Sequence, residues 1–351
     1  MWSVILKSFP DCRQAAKVRA ARAAMLLLAC AMAAAAAPAG DRVRAMSGEE
    51  LRRLFEAGDY RQAQSASQAA VNSSPQDPAG HYWLARSSFE LGSYDTAVKA
   101  AEDACRLSPQ NSDFQLWLGR AYGRKAEIES SFFLARKTRH AFETAVKLDG
   151  TNITARRDLA EYYIEAPWFL GGSKDRARQQ VQAIAGIDPL EGMLALAQLF
   201  RGMEQPEQAR QQYELLLEKR PRGVHFYLEA LDFYEHQRDA LGMARALDGA
   251  HEVAPQDPRL LFYRAVSRVI GGLQLAQAEG ELKQFLAQYP GSSDSVTQGD
   301  GRSWLGVVYE GEGNWAAAVE QYRLAVQLEP YRKKFRKSLE RAEKELKKQG
   351  K

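Results

Sequence analysis

Alternating runs of Val, Ile and Thr are nearly absent from this 351-residue chain, and without them a pleated sheet has little to build a half-buried face from. Ala, Leu, Glu, Gln, Arg and Lys recur throughout instead, which makes the expected fold class all-α. Cysteine is also scarce: of three residues, Cys12 and Cys30 lie near the N-terminus and only Cys105 lies in the body of the chain. That excludes a disulfide framework. Cys105 sits in the apolar stretch from Ala101 to Leu107 and is expected to be a small packing residue rather than a reactive thiol. An excess of one charge is missing as well. The net +4 arises in the first 39 residues, where Lys7, Arg13, Lys17, Arg19 and Arg22 face only Asp11, leaving 43 basic and 43 acidic residues beyond them. A balanced body has no polyanion footprint, so nucleic acid is not an expected partner.

Chemistry-bearing patterns are absent too. The five histidines, His81, His140, His225, His236 and His251, never place two ligands on one helical turn beside a carboxylate or thiol, so neither a metal nor any other cofactor is expected. Gly171-Gly172-Ser173-Lys174 resembles a phosphate loop only superficially. It lacks the first Gly and the Gly-Lys-Ser/Thr order, no strand precedes it, and it reads as a turn. There is no Gly-x-Ser-x-Gly elbow, and paired acids such as Glu49-Glu50 lie on solvated helical faces. The repeats described below leave room only for insertions of under about fifteen residues, too small for a catalytic core. The chain is expected not to be an enzyme.

A long hydrophobic run is likewise missing, because Met25 to Ala37 is too short and Ala-rich to span roughly 30 Å of hydrocarbon. Basic residues up to Arg22, the apolar run Ala23 to Ala37 and the small-residue site Ala37-Pro38-Ala39 read as a signal peptide over 1–39, cleaved before Gly40. Export to a periplasm is the expected consequence. The alternative is Leu27-Leu28-Ala29-Cys30, which resembles a bacterial lipobox although Leu28 is not the favoured residue there. Cys30 would then carry the lipid of an outer-membrane lipoprotein, the one case in which membrane attachment is expected.

What the chain does have is punctuation. Helical segments close at Pro75, Pro109, Gly150, Pro189, Pro221, Pro255, Pro290 and Pro330, at intervals of 34, 41, 39, 32, 34, 35 and 40 residues. Self-similarity near 34 marks a stacked helix-turn-helix repeat, with the longer intervals holding insertions. A small residue stands twelve before the closing proline at Ala63, Ala97, Ala177, Ala209, Ala278 and Ala318. Five before the break stand Ala70, Ala104, Ala145, Ile184, Leu216, Ala250, Phe285 and Ala325, which puts both positions on one packed face of each second helix. First helices carry a large apolar residue with a small neighbour, as in Leu84-Ala85, Leu118-Gly119 and Leu305-Gly306, then an aromatic at Tyr122, Tyr163, Phe200, Tyr234 or Tyr309. Gly58-Asp59-Tyr60, Gly92-Ser93-Tyr94 and Gly313-Asn314-Trp315 supply the tight turns between helices.

These residues resemble the tetratricopeptide repeat, and Pro78 to Asn111 fits its pattern with no insertion or deletion. The resemblance implies a right-handed superhelical solenoid of about eight helix-turn-helix units within 40–332. The units run roughly over 44–77, 78–111, 112–152, 153–189, 190–223, 224–257, 258–290 and 299–332, followed by a basic capping helix over 333–351 with Phe335 and Leu339 inside. Two departures stand out: Ala126 to His140 enlarges the third unit, and Ala166 to Ser173 enlarges the turn of the fourth, where Pro167 should end the preceding helix. The chain is also similar to exported bacterial tetratricopeptide proteins of undefined function.

In such a stack the first helices line a concave face, so Tyr82, Arg86, Glu90, Leu116, Arg120, Arg124, Arg157 and Glu161 are expected to look into it. The resemblance implies a non-enzymatic scaffold capturing a protein or peptide segment, with Tyr82, Arg86, Arg120, Arg124 and Arg157 as candidate contacts. Arginines paired to Glu90, Glu161 or Glu165 are the alternative. The Lys and Asn set of the family's chaperone-tail clamp is missing, so that ligand is not carried over. Asp232, Glu235 and His236 should make the sixth unit's part of the groove more acidic. Trp168 and Phe169 either cover a neighbouring helix or present a hydrophobic anchor to a partner. A glycan-binding alternative would use Tyr82, Trp83 and Trp117 as stacking surfaces.

Overall fold

The computed structural model describes residues 46–292 and 295–349, so the expected leader over 1–39, its cleavage site and Cys30 lie outside the described residues. Seventeen helices and no strand are found among the described residues. Sixteen of the helices form eight antiparallel hairpins in chain order. The first four are α1 (Gly48–Glu56) with α2 (Tyr60–Ser73), α3 (Pro78–Glu90) with α4 (Tyr94–Leu107), α5 (Ser112–Glu129) with α6 (Phe132–Leu148), and α7 (Ile153–Glu165) with α8 (Lys174–Ile187). The others are α9 (Pro189–Gly202) with α10 (Pro206–Glu218), α11 (Val224–His236) with α12 (Ala240–Val253), α13 (Arg259–Ile270) with α14 (Leu275–Gln288), and α15 (Gln298–Gly311) with α16 (Trp315–Leu328). The remaining helix, α17 (Lys333–Gln349), closes the stack, packed on α16. Each helix packs on the next, which is the expected solenoid of about eight units with a capping helix.

Local chemistry accounts for the boundaries. Side chains of Ser47, Asp59, Asp77, Asn111, Ser131, Asn152, Ser173, Asp188, Asp239 and Asn314 each accept a hydrogen bond from a first-turn amide of the helix they precede, satisfying donors that have no intrahelical partner. Gly58, Gly92 and Gly313 take φ of 77°, 71° and 75° at the turns inside their hairpins, a conformation glycine adopts at little steric cost. Pro189 opens α9 rather than trailing α8, a first-turn position where its missing N–H costs nothing.

Both repeating registers of the second helices are buried, from Ala63 and Ala70 in α2 to Ala318 and Ala325 in α16. Small residues on the first helices admit a ring from the second helix of the same hairpin. A Cβ added at Gly119 would lie 2.5 Å from the Phe142 ring, and one at Gly306 would lie 2.7 Å from that of Tyr322. Cys105 is buried as expected, and burial followed by the Glu102 carboxylate pushes its thiol up to about 12. The insertion in the third unit lengthens its helices rather than forming a loop, with α5 at 18 and α6 at 17 residues against the 13 and 14 of α3 and α4. In the fourth unit α7 stops at Glu165, two residues before Pro167, and a single 3-10 turn (Trp168–Leu170) follows.

The stack curls until its ends meet. The Tyr60 hydroxyl donates to the Gly291 carbonyl at 3.1 Å, and a Cβ at Gly58 would lie only 2.3 Å from Pro290 Cγ. Tyr331, just before the capping helix, lies close enough to Tyr94 for the two hydroxyls to influence each other, and the Arg124 guanidinium lies 5.6 Å from its ring centroid. The concave face therefore becomes a lumen.

Candidate partner-binding groove

The lumen has a volume of about 750 Å³, and its wall is contributed mainly by α5, α7, α9, α11 and α13, with Phe89 of α3, Thr138 and Phe142 of α6 and Ser295 completing it. Helices α7 and α11 alternate core and groove residues along their length. Leu159, Tyr162 and Tyr163 of α7 are buried, as are Leu231, Phe233 and Tyr234 of α11, while Arg157, Asp158, Glu161, Glu165, Glu229 and Asp232 reach the wall. Five arginines, Arg120, Arg124, Arg157, Arg201 and Arg259, and five carboxylates, Asp158, Glu161, Glu165, Glu229 and Asp232, line the space. A mixed-charge interior of this kind is wet and polar rather than an apolar ligand pocket.

Of the residues expected to look into the groove, Leu116 is instead a core residue, whereas Glu161 lines the lumen, as do Arg120, Arg124 and Arg157. Their forks are engaged, though not by the partners foreseen. Arg120 Nε donates to Asp158 at 2.6 Å, Arg124 Nη1 donates to Glu127 at 2.9 Å, and Arg157 donates to Glu191. Arg86 lies among rings, its guanidinium 4.3 Å from the Phe55 centroid, 4.8 Å from Trp83 and 4.5 Å from Trp117, close enough for cation–π attraction. Tyr82 is packed against Phe114 and Trp83 and accepts from Arg86 Nη1 at 3.3 Å. Trp83 and Trp117 are core residues, so the glycan reading loses the stacking surfaces it needed.

The unforeseen residues follow the repeat. Glu191 lies 34 residues beyond Arg157 and His225 a further 34, and His225 Nε2 sits 2.8 Å from the same Glu191 carboxylate. One unit further, Arg201 Nη1 donates to Asp232 at 2.6 Å and Gln198 Nε2 to Glu229 at 3.0 Å, each across 31 residues. Bonds from one first helix to the next thus tie the units together along the groove. The signal was available in the sequence as complementary residues one period apart, although the unequal unit lengths obscured it.

Glu161 is the conspicuous exception. Its side chain reaches the lumen's water yet protein rings it, and burial, followed by the nearby Glu165 and Asp158 carboxylates, raises it to about 8. No hydrogen bond or ion pair among the described residues engages it. Burial likewise pushes Glu229 and Glu235 upward, the latter helped by Asp232. Asp232 lines the lumen with Glu229, Glu235 accepts from Trp304 Nε1 at 2.9 Å, and His236 is exposed beside the Asp232 carbonyl. The sixth unit therefore presents acid to the groove through Glu229 and the foreseen Asp232, whereas Glu235 and His236 do not line it.

Trp168 covers no neighbouring helix, whereas Phe169 meets the Phe132 ring at the start of α6, 5.7 Å between centroids. Trp168 and Phe169 are 84% and 49% exposed, on the outer edge of the fourth hairpin rather than in the groove. Nothing in the residue pattern signals how the 3-10 turn is pinned: the Tyr162 hydroxyl and Arg139 Nη1 both donate to the Leu170 carbonyl, at 3.0 and 3.2 Å. Among the described residues, no group of three or more His, Cys, Asp or Glu could hold a metal ion, and no helix is long and apolar enough to cross a membrane.

The family described as tetratricopeptide repeat matches residues 49–112. Yeast Tom70 superposes with a TM-score of 0.58 at 14% identity, over 84% of this chain and 60% of that one. The fold is a tetratricopeptide-repeat solenoid. A tetratricopeptide repeat protein from Parabacteroides merdae is also similar, at 15% identity, TM-score 0.48, 81% of this chain and 98% of that one. So is a chain of the APC/C hetero-tetramer Cut9-Hcn1, at 13% identity, TM-score 0.46, 83% of this chain and 54% of that one. The chain thus spans less than two thirds of the length of both the Cut9-Hcn1 and the Tom70 chains it matches. No curated protein matches it. Tetratricopeptide arrays generally mediate protein–protein interactions and serve as non-catalytic scaffolds, binding protein or peptide partners.

Proposed function

We propose that this chain is an exported, non-catalytic adaptor of a bacterial envelope that holds an extended polypeptide segment inside its lumen. The observation that carries the reading is the mixed-charge space of about 750 Å³ lined by five arginines and five carboxylates, where an enzyme pocket would converge on a few reactive groups. A peptide's backbone and charged side chains suit such a wall, and the open Glu161 carboxylate, the unbonded Oε1 of Gln198 and the unbonded Nε of Arg157 are the groups it would satisfy. Arg120, Arg124 and Arg157 contribute by exchanging partners with ligand carboxylates, while Tyr82 packs on Phe114 and the Arg86 guanidinium on the rings of Phe55, Trp83 and Trp117 behind the wall.

Export rests on the leader read over 1–39, and mass spectrometry of the mature N-terminus tests it: a start at Gly40 supports a periplasmic protein, and a lipidated Cys30 an outer-membrane lipoprotein. The groove is tested by a photo-crosslinking residue placed at Glu161, with Gln179 on the exposed face of α8 as control. Polypeptide adducts at 161 alone, abolished by Arg157→Glu with helicity unchanged, are expected. Equal labelling at both positions would remove the lumen from the account.

A further inference from the structure

Four aromatic rings are gathered on the outer edge of the third and fourth hairpins. Phe132 and Phe133 open α6, and Trp168 and Phe169 form the 3-10 turn beside them. Phe132 lies 5.7 Å from Phe169 and Trp168 lies 5.9 Å from Phe169, centroid to centroid. Trp168 is 84% and Phe133 68% exposed. This is an apolar patch on a convex tip rather than a scatter of single residues. Nor is it a slack loop: Leu170 is buried, its carbonyl accepts from Tyr162 and Arg139, and the Ser173 amide donates to the Tyr163 carbonyl at 2.8 Å.

Charge defines what fits it. Segments 128–140 and 166–178 hold six basic residues, Arg136, Lys137, Arg139, Lys174, Arg176 and Arg178, against two acids, Glu129 and Asp175; Lys137 pairs with Glu102, Arg139 and Arg176 with Glu143, and Arg178 with Asp175. Lys137 Nζ lies 5.1 Å over the Phe133 ring, while Arg136 and Lys174 are exposed with no partner among the described residues. Leu241 and Leu273, 79% and 61% exposed, sit at the turns of the sixth and seventh hairpins, and turns inside successive stacked hairpins share one edge. A protein pocket would receive one convex cluster, whereas a broad, deformable anionic surface receives rings and cations together.

We propose that this edge docks on an anionic lipid bilayer, the rings entering the headgroup boundary and the lysine and arginine heads meeting lipid phosphates. It does so without a lipid on Cys30 and independently of what the lumen holds. The test uses the full chain with vesicles of phosphatidylglycerol and phosphatidylcholine, against phosphatidylcholine alone, with brominated acyl chains as fluorescence quenchers. Trp83, Trp117 and Trp304 are buried, so Trp168 is expected to be quenched on the anionic vesicles. Trp168→Phe should remove that component, leaving any signal from Trp2 or Trp315. Arg136→Gln with Lys174→Gln should weaken the partitioning read by Trp168 about thirtyfold, each charge at such a surface being worth roughly fivefold, and Phe133→Ser should weaken it further. Anionic vesicles that leave the Trp168 component unquenched would overturn the proposal. So would a photo-crosslinker at position 169 that labels a protein in preference to lipid, pointing to a protein partner instead.

Discussion

Glu161 is the residue at which groove and stability oppose each other. A carboxylic acid held near 8 when folded, against its ordinary 4.5, binds its proton more tightly in the native chain than in the unfolded one. Its contribution is therefore fully present below about pH 4.5 and is lost as pH rises through 8. Glu161→Gln should accordingly gain relative to wild type as pH climbs from 4.5 to 8, a difference read from paired thermal melts, and parallel curves would refute the burial argument. Gly119 works in the opposite sense, as a place where nothing can be added. With the Phe142 ring 2.5 Å from where a Cβ would sit, Gly119→Ala should cost about 1–3 kcal/mol by overpacking, measured by urea unfolding. The small residues of both registers were legible in the sequence because hairpins leave no room for larger ones. The partners of Arg120 and Arg157 were not, because a period stretched by insertions hides which carboxylate comes level.

Among the elements, the hairpins were the most readable and their insertions the least. Proline and glycine punctuation located the ends of the units and three of the turns inside hairpins, but not those at Ser130-Ser131 or Gln237 to Asp239, which hold neither residue; α5 and α6 took the extra residues as added turns because Arg, Lys, Glu and Ala there favour helix. Trp168 and Phe169 were left between two roles because their exposure depends on Arg139 and Tyr162 gripping a carbonyl, which no pattern of apolar residues reports. The capping helix α17 was readable in both sequence and role: Phe335 and Ala342 are fully buried and the basic residues lie outside. Phe335→Ala should destabilise the chain by about 3–5 kcal/mol, and limited proteolysis should then remove α17 first. Cleavage elsewhere would mean the helix does not cap the stack.

At the scale of the whole molecule, contacts across 231 residues, such as that of Tyr60 with Gly291, set this array apart from one whose units touch only their neighbours. Tyr331→Ala, which removes the ring that meets Tyr94 and Arg124, should raise the radius of gyration seen by small-angle scattering while leaving the helical circular-dichroism signal intact. A superimposable scattering curve would show that the ends are held by curvature alone. The curl itself was implied by the resemblance, but its meeting point could not be read, because it depends on the sum of small rotations between eight unequal hairpins. A necklace with a clasp tolerates neither an extra bead nor a missing one, and here the number of hairpins is fixed in the same way. Deleting or duplicating a hairpin would preserve every neighbouring contact and still bring Tyr60 and Tyr331 opposite the wrong residues, so this architecture cannot drift in length as open arrays can.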